Sequence, residues 1–229
     1  MPEKKVVGII GGMGPEATAD LFLKIVKSTP AGRDQDHLRI VIDNNPEIPD
    51  RTAFILGKGA DPRPYLLATA RNVEKMGADF MVIPCNTAHY FHKEIQAAVN
   101  VPVLHIMKEV ARELSGKIQK AGILASTGTL RTRLYEDHLK EAGIEAVVPL
   151  GTDQDEVMDA IYSVKAGDLA KGRELALKQG ARLISMGAQV VIAGCTEIPL
   201  VLQNGDLAAP VLDATKVLAV SCVRVAFGG

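Results

Sequence analysis

Short apolar runs alternate along this chain with longer segments whose apolar residues recur every three or four positions. The run Lys5–Ile10 reads as a buried strand, and Pro15–Ser28 as an amphipathic helix with proline in its first turn. Leu38–Asp43 predicts a second strand. Asn44–Asp61, rich in Pro, Gly, Asn and Asp, predicts a long loop of the kind usually reserved for function or motion. Pro64–Met76 predicts a helix closed by Gly77, Phe80–Pro84 a strand, and the stretch from about Thr87 to Val99 a further helix. The alternation continues to the end. It predicts an α/β protein whose parallel sheets are covered by helices.

The pattern then repeats. Met76-Gly77-Ala78 leads into a strand and Cys85, and Met186-Gly187-Ala188 leads into a strand and Cys195, 110 residues later. Pro102-Val103-Leu104 returns as Pro210-Val211-Leu212, and Gly8-Ile9-Ile10 as Gly122-Ile123-Leu124. Four landmarks in the same order predict two similar α/β halves. The first would span residues 1–100 and be rejoined by 210–229, and the second would span 101–209. In that division the last helix, Asp213–Phe227, crosses back to the first half.

Composition narrows the function classes. The chain has 229 residues, 47% of them hydrophobic, and a net charge of -1. It carries no basic stripe or acidic tail, so neither a nucleic acid nor a membrane surface is expected as partner. No signal segment and no spanning run is recognisable, and a cytoplasmic protein is expected. The three cysteines form no C-x-x-C pair, which argues against both a disulfide framework and a zinc site; no metal is expected.

The repeated cysteines are the candidate chemistry. Ligands of open parallel sheets bind at the carboxyl ends of strands, where Cys85 and Cys195 both sit. A lone cysteine is commonly a small core residue, but matched placement in both halves points to function. Cys222, in the apolar stripe of the last helix, reads as core. Two thiols on opposite sides of a molecule suit a proton exchange in which one removes a proton and the other returns one from the far face. Asn86, Thr87 and Thr196 offer either helix caps or a carboxylate cradle. His89 and Glu197 could tune the thiols, bind an amino group, or simply cap and pair. The turn Gly11-Gly12-Met13-Gly14 and its counterpart Ser126-Thr127-Gly128-Thr129 add Met13, Gly14, Thr127 and Thr129 as candidate substrate contacts.

The glycine turn also fits the dinucleotide fingerprint G-x-G-x-x-[G/A] through Ala17, with Asp43 at the end of the next strand. That keeps an NAD-dependent dehydrogenase open. Pro15 within the motif, and the missing glycines in the second half, weigh against it. A non-catalytic module that binds a dicarboxylate is a further alternative; the matched thiols disfavour it.

Taken together, VGIIGGMGPE (Val7–Glu16), PDRT (Pro49–Thr52), PCNTAH (Pro84–His89) and GCTEI (Gly194–Ile198) resemble the motifs of the aspartate/glutamate racemase family, nearly end to end and on its aspartate branch. The resemblance implies two similar α/β domains with four-stranded parallel sheets, a pseudo-twofold axis, and an active site in the interdomain cleft. It implies a homodimer that needs no pyridoxal phosphate or other cofactor. Cys85 and Cys195 would be the proton-transfer pair, Cys195 serving the L-isomer and Cys85 the D-isomer. Arg51, beside Thr52, and Lys165 would grip the side-chain carboxylate of a small acidic amino acid, aspartate first and glutamate second. Hydantoin racemases and maleate isomerases of the same superfamily remain alternatives. The cationic pair favours a diacid over a hydantoin, and the presence of both thiols argues against an arylmalonate decarboxylase.

Overall fold

The computed structural model describes residues 4–229. The chain runs β1 (Val7–Gly11), α1 (Pro15–Ser28), β2 (Ile40–Asn44), α2 (Arg51–Ile55), α3 (Arg63–Lys75), β3 (Phe80–Val82), α4 (His92–Ala97) and α5 (Ile106–Leu114). It continues through β4 (Lys120–Leu124), α6 (Thr127–Arg131), α7 (Leu134–Glu141), β5 (Glu145–Val147), α8 (Thr152–Lys165) and α9 (Leu169–Ser185). β6 (Val190–Ala193), α10 (Ile198–Val201), β7 (Val211–Asp213) and α11 (Ala214–Ala226) complete it.

These elements form two compact units. One takes in the chain up to Glu109 and again Thr215–Gly229; the other is Val110–Ala214. The first unit holds a parallel sheet in the order β2-β1-β3. Beside β3, where a fourth strand was expected, Val103 forms a single parallel bridge with Met81. The Met81 N–H donates to the Pro102 carbonyl at 2.8 Å, and the Leu104 N–H to the Met81 carbonyl at 2.9 Å. The second unit holds the full four strands, all parallel, in the order β5-β4-β6-β7. Its Val191 N–H donates to the Pro210 carbonyl at 2.9 Å, the counterpart of the Met81 bond. β7 pairs with β6, so Val211–Asp213 lies in the second unit and Thr215–Gly229 in the first.

Each sheet buries its central strand on both faces, which explains the apolar runs. In the first unit, α3 turns Leu66, Ala70 and Val73 onto Ile10, Met81 and Ile83. In the second, α8 and α9 bring Val157, Ile161, Val164, Ala176 and Leu183 onto Val191 and Ala193. Both series have helical spacing. The glycines at the start of each half are there for closeness. A Cβ on Gly8 would lie 2.4 Å from Val73 Cγ1 and 2.7 Å from Ala78 Cβ. On Gly122 it would lie 2.9 Å from Leu183 Cβ and 3.1 Å from Ala188 Cβ. Each pair of neighbours recurs 110 residues on, so the same helix-on-strand contact is built twice.

Two segments depart from expectation. The loop Asn44–Asp61 contains α2, because the Asp50 carboxylate caps it by accepting the Ala53 N–H at 2.6 Å. The helix expected from Thr87 begins as a 3-10 turn, Thr87–Phe91, and becomes α-helical only at His92. The last helix, α11, is held within the first unit. The Lys5 N–H donates to the Ala226 carbonyl at 3.1 Å, and Ser221 and Arg224 both donate to Glu109, at 2.7 and 2.9 Å. Cys222 is fully buried on it, and burial, reinforced by Glu109, pushes its thiol far above the ordinary range. No helix among the described residues is long and apolar enough to cross a membrane.

Candidate active site

The turns after the first strand of each unit differ in chemistry, yet each leads the chain from a strand end into a helix. Gly12 stands at φ +94°, and a Cβ there would lie 2.2 Å from the Asn45 carbonyl, so only glycine fits. Its N–H donates to Thr18 Oγ1 at 2.9 Å. Met13 beside it is buried, while Gly14, the N-cap of α1, has open space where a side chain would project. In the second unit Ser126 does the capping with its hydroxyl, which accepts the Thr129 N–H at 3.2 Å. Thr129 is buried, its own hydroxyl 3.1 Å from Ser126 Oγ. Gln154 from α8 donates to both the Ala125 carbonyl (3.0 Å) and Thr127 Oγ1 (3.2 Å). Thr127 is the half-buried member of this turn.

Cys85 follows β3 by three residues and is 7% exposed, with Asn86 and Thr87 buried behind it. His89 turns back on it. The Ile106 N–H donates to His89 Nε2 at 3.1 Å, which puts the ring proton on Nδ1, and Nδ1–H donates to the Cys85 carbonyl at 3.0 Å. Burial, followed by repulsion from His92, lowers the His89 pKa to about 3. The ring therefore stays neutral near pH 7 and joins the Cys85 loop to the start of α5. His105 packs 4.9 Å from the His89 ring and 4.8 Å from that of His92. Of the roles open to His89, the structure gives it the positioning of backbone.

Cys195 is half-buried and sits among polar side chains. Its thiol donates to Glu197 Oε2 at 2.9 Å, and the Thr196 hydroxyl donates to the same oxygen at 3.1 Å. Lys165 at the end of α8 approaches the other oxygen, Oε1, to 3.8 Å. Behind them lies Tyr135 of α7, fully buried. Burial above all, then Cys195 and Asp213, holds its phenol protonated well beyond the usual range. Gly194 makes room for it, since a Cβ there would lie 3.0 Å from the Tyr135 ring. The sequence carried no motif for Tyr135 or Gln154. Both are single polar residues on helices remote in sequence, and only packing brings them to the strand ends.

Arg51 occupies the first position of α2, with Thr52 half-buried after it. Its Nη1 donates to the carbonyls of Ile48 (3.1 Å) and Pro49 (3.0 Å), which aims the guanidinium. Its Nε is buried with no hydrogen-bond partner, and among the described residues no carboxylate pairs with it. Of the expected site residues, Met13, Gly14, Arg51, Thr52, Cys85, Asn86 and Thr87 thus belong to the first unit. Thr127, Thr129, Lys165, Cys195, Thr196 and Glu197 belong to the second. Among the described residues, no group of three or more His, Cys, Asp or Glu is placed to hold a metal ion.

The model of the Asp/Glu/Hydantoin racemase family matches residues 10–222. A broad specificity amino-acid racemase of Bacillus subtilis is 30% identical over 95% of this chain and 96% of its own. The aspartate racemase of Picrophilus torridus superposes with a TM-score of 0.88 at 31% identity, covering 97% of this chain and 94% of that one. An aspartate racemase homologue from Pyrococcus horikoshii superposes with a TM-score of 0.79 at 26% identity, covering 98% and 99%.

Proposed function

Since the chain belongs to the Asp/Glu/Hydantoin racemase family, we propose that it interconverts L- and D-aspartate, with glutamate as a second substrate, by two-base proton transfer between Cys85 and Cys195. The observation that carries this is the duplicated placement of the thiols, each just past the carboxyl end of an equivalent strand, 110 residues apart.

The chemistry follows from one thiolate and one thiol. A cysteine sulfur ordinarily titrates near pH 8.5, so both forms are accessible near neutrality. The thiolate takes the α-hydrogen as a proton and leaves a planar carbanion whose charge spreads into the α-carboxylate. The thiol on the far side gives a proton to the same carbon, inverting it. One proton is gained and one lost, and the two sulfurs have exchanged states. Helix-capping hydroxyls and N–H groups at the strand ends suit the α-carboxylate. Arg51, a cation aimed by two carbonyls and, among the described residues, matched with no carboxylate, suits a side-chain carboxylate, which a guanidinium can hold bidentately. Lys165 is the second cation of this reading. The names of the similar proteins support an amino-acid substrate, and those of the two superposed structures support aspartate.

The test is incubation with L-aspartate in deuterated water without added cofactor, followed by NMR and chiral chromatography. Loss of the α-hydrogen signal with appearance of D-aspartate is the expected result. Absence of exchange with aspartate, glutamate and every other common amino acid overturns the proposal.

A further inference from the structure

The hydrogen bond from the Cys195 thiol to Glu197 Oε2, at 2.9 Å, exists only while the sulfur carries its proton. A thiolate at that distance would set two negative charges side by side. The carboxylate is itself held in place. Its side chain is 12% exposed, Thr196 donates to the same oxygen, and Lys165 lies 3.8 Å from the other. Further titratable groups among the described residues here are Tyr135 of α7, kept neutral by burial, and Asp213 at the end of β7, which acts on that phenol. Cys85 has no such neighbour: among the described residues its loop is held by neutral His89 through the carbonyl, and no carboxylate hydrogen-bonds to its sulfur.

Taking the racemase reading as premise, we propose that Glu197 is a positioning residue that keeps Cys195 protonated between turnovers, so that the resting enzyme holds Cys195 as proton donor and Cys85 as acceptor, and the opposite isomer is taken by the form in which the two sulfurs have exchanged states. Glu197 acts through the sulfur and need not touch the substrate. Lys165 sets the strength of the hold, because a cation on Oε1 weakens the pull of the carboxylate on the thiol proton. After turnover Cys85 carries the abstracted proton and Cys195 is a thiolate facing Glu197. Cys85 then loses a proton to solvent as Cys195 gains one, and the starting state returns.

The experiment follows iodoacetamide alkylation of the full chain, without substrate, from about pH 6 to about pH 10, which brackets the ordinary thiol value. Peptide mass spectrometry reads each cysteine separately. Alkylation tracks the thiolate fraction, so a downward shift of one pH unit raises the rate near neutrality about tenfold. Glu197→Gln is expected to move the Cys195 profile to lower pH by about one unit, and Lys165→Met to move it to higher pH. Buried Cys222 reports an intact fold by staying unreactive. If Glu197→Gln unfolds and exposes Cys222, Lys165→Met alone decides. A Cys195 profile unmoved in the folded variants, or moved in the opposite senses, overturns the proposal. Alkylation needs no turnover, so the two readings fail separately. A protein that exchanges no α-proton yet shows both shifts loses the racemase assignment and keeps the protonating role of Glu197; racemisation with an unmoved profile does the reverse.

Discussion

The two halves repeat each other in backbone and diverge in the surroundings of their cysteines. Around Cys85 the chain is buried and its support is a neutral imidazole bonded to backbone. Around Cys195 the sulfur is half-buried and meets a carboxylate, a hydroxyl and a lysine. The cations divide the same way: among the described residues no carboxylate pairs with Arg51 of the first half, whereas Lys165 of the second already leans on Glu197. Duplication thus supplies two equivalent positions for a thiol, and the unlike side chains around them allow unlike protonation states. A two-base exchange needs that difference at the start of every cycle.

The sharpest way to break the comparison is to remove one thiol at a time. Cys85→Ala and Cys195→Ala are each expected to lower the racemisation rate by about a thousandfold or more, since a single sulfur serves only one face. Near-normal turnover in either variant shows that its thiol is not an acid or base. Next comes the contrast of cations. Arg51→Ala is expected to cut kcat/KM for aspartate about a hundredfold, equivalent to about 2.7 kcal/mol, and to affect an uncharged substrate such as alanine far less. Equal losses on both substrates mean that Arg51 does not read the side chain.

The duplicated packing can be tested as well. Gly8→Ala must displace Val73 and Ala78 from 2.4 and 2.7 Å, while Gly122→Ala meets Leu183 and Ala188 at 2.9 and 3.1 Å. Overpacking of this kind costs about 1–3 kcal/mol, with Gly8→Ala the more harmful, as urea denaturation would measure. A reversed order shows that the first half yields more easily than its distances imply.

The last effect concerns acid and is absent near neutrality. His89 binds a proton at about 3 when folded, below its ordinary value of 6.5. Its contribution to stability is therefore complete above 6.5. It declines as pH falls toward 3, because in that window the unfolded chain holds a proton that the folded one refuses. The slope is at most about 1.4 kcal/mol per pH unit. His89→Gln is expected to flatten the fall of Tm between those values, and an unchanged slope means that His89 is not the acid-sensitive group.

Several of these features were legible residue by residue. The strand read as Lys5–Ile10 and found as Val7–Gly11 is legible because both its faces are covered, leaving an unbroken apolar run. Pro15–Ser28 appears with its own bounds because proline opens it and its apolar positions follow the helical period. Cys85 and Cys195 stand out because duplication prints the same landmarks twice. That the expected fourth strand of the first sheet shrinks to one bridge was not legible, since Val103 and Val211 occupy near-identical motifs yet one forms a bridge and the other a strand. Helix α2 was hidden in a polar segment whose only signal was Asp50 before a short run.

What the sequence determined by itself was periodicity, duplication and the presence of two thiols at strand ends, because these are local properties of spacing and residue type. Thr196 and Glu197 stand beside Cys195 in the sequence itself; only the tertiary structure decided which distant side chains join each sulfur's surroundings. Tyr135, Lys165 and Ile106 come from elements distant in sequence, and no local rule predicts which helix a sheet will bring within a few ångströms of a given strand end. Electrostatics and hydrogen bonding act over those short distances, so the difference between two look-alike cysteines, begun by Glu197 in the sequence, is completed only once the chain has folded.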